Sequence, residues 1–153
     1  MVFLEIIFIF IRISNSMTDY PQIPGCFYRI GVKALIVDEN GRFLLFREED
    51  GRWEFPGGGL EYDEDSYTTL RRELLEEAGL DVVEMDLIPS YFLTTRSIKN
   101  GYYMANIFYR TTVRDLNIKP SDDCLEVRFF TPEEALKMDI FPNVIEFCKQ
   151  YKI

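Results

Sequence analysis

A chain of 153 residues, 47% of them apolar and including 13 Phe and 9 Tyr, suffices for one domain with a full core and not for two. Its net charge of −9 argues against a general affinity for DNA, RNA or anionic membrane, because those bind through basic patches; any phosphate it handles needs a cation as intermediary. With no histidine, Ser-His-Asp and Cys-His nucleophilic sites are ruled out, as is histidine-ligated zinc or copper.

Residues 1–13 (MVFLEIIFIFIRI) are strongly apolar but short of the ~20 residues of a spanning helix, and Glu5 and Arg12 interrupt them. The run lacks the basic start of a secretory signal. We read residues 1–16 as an extension ahead of a natural start at Met17, with one domain over residues 17–153; a membrane-associating or oligomer-forming segment is the alternative. Pro21 and Pro24 mark a linker. From Phe27 the pattern becomes β: residues 28–37 alternate and then run apolar, residues 38–41 (DENG) give a hairpin signal, and residues 42–47 form the returning strand. A turn at 48–51 leads through Trp53 into the glycine loop, Phe55-Pro56-Gly57-Gly58-Gly59.

A helix is predicted to start at Asp65 or Ser66, with Tyr67, Leu70, Leu74 and Leu75 as its buried side and Gly79 as its left-handed stop. Residues 82–97 hold strand material broken at Pro89, residues 98–101 are a turn, and residues 102–113 are a long strand that pairs back as a hairpin. A strand at 125–130, a capping box with Pro at N1 (Thr131-Pro132-Glu133-Glu134) and a closing helix over 142–151 complete the order. Strands on both sides of one central helix, with a helix at the end, predict an α+β or layered α/β domain. Cys26, Cys124 and Cys148 are too scattered for a disulfide framework or a CxxC metal site, and point to buried thiols in a reducing, cytoplasmic setting.

The chemistry concentrates in residues 58–80. On a helix, Glu73, Glu76 and Glu77 stand at i, i+3 and i+4 and share one face, where like charges repel. Such a face is either solvated or neutralised by a divalent cation, and hard oxygen donors suit Mg²⁺ or Mn²⁺. The three glycines ahead of it let backbone approach a ligand closely, with Gly58 at the point of contact. Arg47 and Arg52 flank the preceding turn and are candidates to meet phosphate; Trp53, with Phe27, Tyr28, Tyr91 and Tyr103, is a candidate to stack on a nucleobase.

Gly58, five residues, Glu64, seven residues, Arg72-Glu73-Leu74, one residue, Glu76-Glu77, one residue, Gly79-Leu80: this pattern resembles the complete signature of the Nudix hydrolases. One departure lies beside it, Asp63 standing where a glycine is common. The resemblance implies an α/β/α sandwich with a mixed central sheet and a Mg²⁺-dependent hydrolase that cuts a diphosphate bond. Its substrate would be a small nucleoside diphosphate linked to another moiety, such as ADP-ribose, a nucleoside triphosphate or a sugar nucleotide. It implies Glu73, Glu76, Glu77 and the Gly57 carbonyl as metal ligands, one of these glutamates, Glu73 ranked first, as general base, and Arg72 orienting Glu64. It also implies an auxiliary carboxylate outside the signature, with Glu126 ranked ahead of Asp122 and Asp123. The competing class is a non-catalytic nucleotide-sensing module on the same fold. An isoprenoid diphosphate isomerase, which on this fold calls for a metal-binding histidine, is disfavoured. A homodimer is compatible with this reading, and a stable membrane span is not expected.

Overall fold

Alternation along two strands sets the layering. A computed structural model describes residues 27–152 other than 120, 122 and 123, so the apolar N-terminal run, Cys26, Asp122 and Asp123 lie outside the described residues. The elements are β1 (Tyr28–Leu35), β2 (Phe43–Arg47), β3 (Trp53–Glu54), α1 (Ser66–Ala78), β4 (Val82–Met85), β5 (Tyr91–Arg96), β6 (Tyr103–Val113), β7 (Glu126–Phe130), α2 (Pro132–Ala135) and α3 (Pro142–Cys148). Val32, Ala34, Ile36, Leu44 and Phe46 join Leu70, Leu74 and Ala78 of α1 in one core. The alternate residues Leu35, Phe43 and Leu45 join Phe55, Phe108, Phe130, Ala135, Val144 and Phe147 in the other. Period-two sequence thus feeds a core on each face, one closed by α1 and the other by α2 and α3.

The sheets are mixed. β1 pairs in parallel with β6 (Tyr28↔Tyr103 to Leu35↔Arg110), while β4 and β5 both pair antiparallel with β6. β2 lies between β3 and β7 in a second, antiparallel sheet. The 98–101 turn joins β5 and β6 as the sequence predicts. The 38–41 turn closes a short hairpin: Val37 bridges Phe43, Leu44 N–H donates to the Ile36 carbonyl and Asp38 N–H to that of Arg42, both at 2.9 Å, before β1 and β2 enter different sheets.

α1 begins where expected. Asp65 is its N-cap and accepts from the Thr68 N–H at 2.7 Å, and Gly79 ends it at φ 66°. Its buried side is Thr69, Leu70, Leu74 and Ala78. Leu75 is 62% exposed and Tyr67 lies outside the core, so the apolar stripe is narrower than the sequence suggests. Asp63 takes φ 65°, the left-handed region in which a β-carbon is strained and which Asp tolerates better than most residues. That geometry explains why a glycine would suit the position.

Candidate active site

The glycine loop runs along the free edge of β1 as an irregular strand. Val32 N–H donates to the Gly58 carbonyl (2.9 Å), Ala34 N–H to that of Pro56 (2.9 Å), and Leu60 N–H to that of Ile30 (3.1 Å). Gly57 has φ 115°, and a Cβ there would overlap the Val32 carbonyl. At Gly58 the obstacle is different: a Cβ would overlap the Glu73 carboxylate. One glycine is therefore set by backbone and the next by the catalytic candidate itself.

Arg72 organises the exposed end. Its Nε and Nη2 grip Glu64 in bidentate fashion at 2.8 and 3.0 Å, and its Nη1 reaches Glu73 at 2.7 Å and Glu76 at 3.4 Å. Arg72 and Thr69 hydrogen bonds hold the Glu64 carboxyl down at about 2. Glu77 lies deeper and accepts from the Gly57 N–H at 3.2 Å. Burial pushes its carboxyl up to about 7, with Lys33 and the Gly57 N–H pulling the other way.

Lys33, absent from the sequence-level candidates, organises the buried end. Its ammonium donates to the carbonyls of Gly57 (2.8 Å) and Phe55 (3.3 Å) and pairs with Glu54 Oε1 at 2.8 Å; the same oxygen accepts from Asn143 Nδ2 at 2.6 Å. A lysine inside the apolar run of β1 was the available signal, since a buried charge demands partners.

Two cavities open beside the loop. The larger, about 650 Å³, is lined by Glu73, Glu76, Glu77, Glu48, Glu49 and Asp50, with Arg52 and Lys99. The smaller, about 170 Å³, takes Lys33, Glu54, Gly58, Asn106, Phe141 and Asn143 into its lining. Burial pushes the Glu48 carboxyl up, and Lys99 beside it pulls it back. The fold thus brings together Glu64, Arg72, Glu73, Glu76, Glu77, Gly57, Gly58 and Arg52.

It does not bring in the others. Trp53 is 3% exposed and packs edge-on against Phe130 at 4.8 Å, so the stacking expectation for it is corrected: its side chain points inward to the aromatic core. Tyr91 packs there too, against Phe147. Arg47 and Glu126 face each other across the β2–β7 ladder, with a side-chain separation of 3.5 Å, and line neither cavity. Cys124 and Cys148 are buried, their thiols pushed up to about 11, which makes them inert packing groups.

The donor set fits a divalent cation by its chemistry: hard carboxylate oxygens line one cavity, while the Gly57 carbonyl accepts from Lys33. Among the described residues no three acidic or thiol side chains stand close enough to enclose one, because Arg72 holds Glu73 and Glu76 is largely exposed.

A family model described as NUDIX domain matches residues 27–150. The chain belongs to the Nudix hydrolase family. A MutT-like protein of Streptomyces ambofaciens is 34% identical over 109 residues, which cover 71% of this chain and 67% of that protein. An RNA pyrophosphohydrolase of Methylococcus capsulatus is 33% identical over 113 residues, 65% of this chain and 58% of that protein. The chain therefore spans less than two thirds of that second curated relative. The crystal structure of a MutT protein from Methanosarcina mazei Go1 superposes with a TM-score of 0.67 at 27% identity, over 80% of this chain and 91% of that one. A MutT Nudix hydrolase from Burkholderia pseudomallei, at TM-score 0.69 and 20% identity over 83% and 100% of the two chains, shows the shared fold. Among the described residues, no helix is long and apolar enough to cross a membrane.

Proposed function

We propose that this Nudix chain is a Mg²⁺- or Mn²⁺-dependent pyrophosphohydrolase that cleaves a diphosphate bond in a nucleoside diphosphate linked to a further moiety. The observation that carries the reading is the convergence of Glu73, Glu76 and Glu77 on one cavity beside the glycine loop. These carboxylates, with the Gly57 carbonyl, would hold the cation, which neutralises phosphate charge and makes a bound water more acidic. Glu73, at the mouth of the loop, is the base that takes the attacking water's proton. As that water bonds to phosphorus, the electron pair of the bridging P–O bond leaves with the departing phosphate. Arg72 clamps Glu64 and Glu73 and so aims the base without touching substrate.

The test is a panel of ADP-ribose, nucleoside triphosphates, sugar nucleotides and, because a relative is named an RNA pyrophosphohydrolase, an RNA with a 5′ polyphosphate end. Products are scored with Mg²⁺, Mn²⁺ or EDTA. Metal-dependent release of phosphate or a nucleotide from at least one member is expected, and turnover of none rejects the reading. The competing sensor function draws on the absence of a closed three-acid cluster among the described residues, and predicts tight nucleotide binding with no turnover.

A further inference from the structure

Lys99 lies in the turn between β5 and β6, just past the Arg96↔Tyr103 end of their ladder. The Gly101 N–H donates to the Ser97 carbonyl at 2.9 Å and closes that turn. Among the described residues, Lys99 is the one side chain shared by the linings of the two cavities. Its ammonium pairs with Glu48 and stands 4.9 Å from the centre of the Phe141 ring. The side chain is 52% exposed, so its pair with Glu48 is weak and exchangeable. The larger cavity is otherwise lined by six carboxylates, and its second cation, Arg52, is already shared between Asp50 and Asp139 at 3.5 and 3.7 Å. A diphosphate that spans both cavities has Lys99 within the lining of each, and a phosphate carries more negative charge and more acceptor oxygens than the carboxylate it would displace.

We propose that Lys99 is a specificity-determining residue: it exchanges Glu48 for a phosphate oxygen of a substrate whose organic part occupies the smaller cavity and whose diphosphate reaches the larger. The proposal rests on the diphosphate-substrate reading above but not on turnover. It favours ligands that carry two or more phosphates in line over monophosphates, which cannot engage Lys99 and the acidic cavity together.

Calorimetric titration of the full chain with imidodiphosphate and Mg²⁺ tests it. Lys99→Met should raise Kd about tenfold and Lys99→Arg should stay within about threefold of wild type, as expected for loss or retention of one charge-assisted hydrogen bond. Glu48→Gln should bind about threefold tighter, because it frees the ammonium and removes a like charge. On any substrate of the panel, Lys99→Met should raise KM and leave kcat within about threefold. Wild-type affinity in Lys99→Met, weakening by Glu48→Gln as large as that by Lys99→Met, or no uptake of imidodiphosphate by the wild type each overturns the assignment. A chain that binds through Lys99 yet cleaves no panel member overturns the hydrolase reading alone.

Discussion

Arg72 and Lys33 both grip the segment 54–64, one from the helix above it and the other from the strand beneath. Arg72 is about one-third exposed and spreads a planar fork over Glu64 and Glu73, so it sets directions. Lys33 is buried with Glu54 and caps two backbone carbonyls, so it sets the depth at which the loop sits. The first arrangement can be loosened by water at small energetic loss. The second cannot, because any partner left behind is an unpaired buried group. One protein thus separates aiming its carboxylates from anchoring them.

Four tests sharpen that separation. The largest effect is expected at Glu77, on which Lys33 acts through space: Glu77→Gln should lower kcat by about 10²–10⁴, the range for loss of an essential carboxylate. In EDTA its melting temperature should be unchanged at pH 4 and higher than wild type above pH 7. The Glu77 carboxyl is raised to about 7 by burial, so wild-type stability falls as pH rises through that value. A large loss of stability with retained activity would break the assignment. Next, Lys33→Met should destabilise by about 3–5 kcal/mol in urea denaturation, because Glu54 loses its ion-pair partner in a largely desolvated site and keeps only Asn143. Adding Glu54→Met should recover much of that loss, and no recovery would mean that Lys33 acts mainly through the carbonyls. Arg72→Lys should change stability by less than about 1 kcal/mol yet lower kcat at similar KM, since a point charge cannot reproduce the fork. If its KM rises instead, Arg72 contacts substrate. The smallest effect is electrostatic. Glu64 is held down to about 2 by Arg72, so its contribution is present above about pH 4.5 and fades as pH falls toward 2. The stability gap between wild type and Glu64→Gln should therefore close over that window, and a constant gap would show that the ion pair contributes nothing.

The region around Arg72 could be read in the sequence, whereas around Lys33 only the lysine itself stood out and its partners did not. The spacing of Glu73, Glu76 and Glu77, the cap at Asp65 and the stop at Gly79 are local: helix geometry alone places them. Lys33, Glu54 and Asn143 meet only because β1, β3 and the start of α3 converge, which no short-range pattern encodes. The same limit applies to the strands. DENG announces a hairpin that forms, but nothing near it says that β1 will also pair with β6. Trp53 and Glu126 misled for a related reason: proximity along the chain to the glycine loop or to a strand start says little about which way a side chain points. Composition did carry the supply of apolar and aromatic side chains that fill the two cores.

The parallel ladder from Tyr28↔Tyr103 to Leu35↔Arg110 has a bearing on how the molecule is made. During translation the signature helix emerges well before the strand on which β1, and through it the glycine loop, depends for support. Nascent chains stalled before residue 103 should leave the signature unanchored and open to proteases, and resistance should come only once α3, which completes the second core, has also been released. Activity is then acquired late and in one step, as expected when closing a long loop is the slow event.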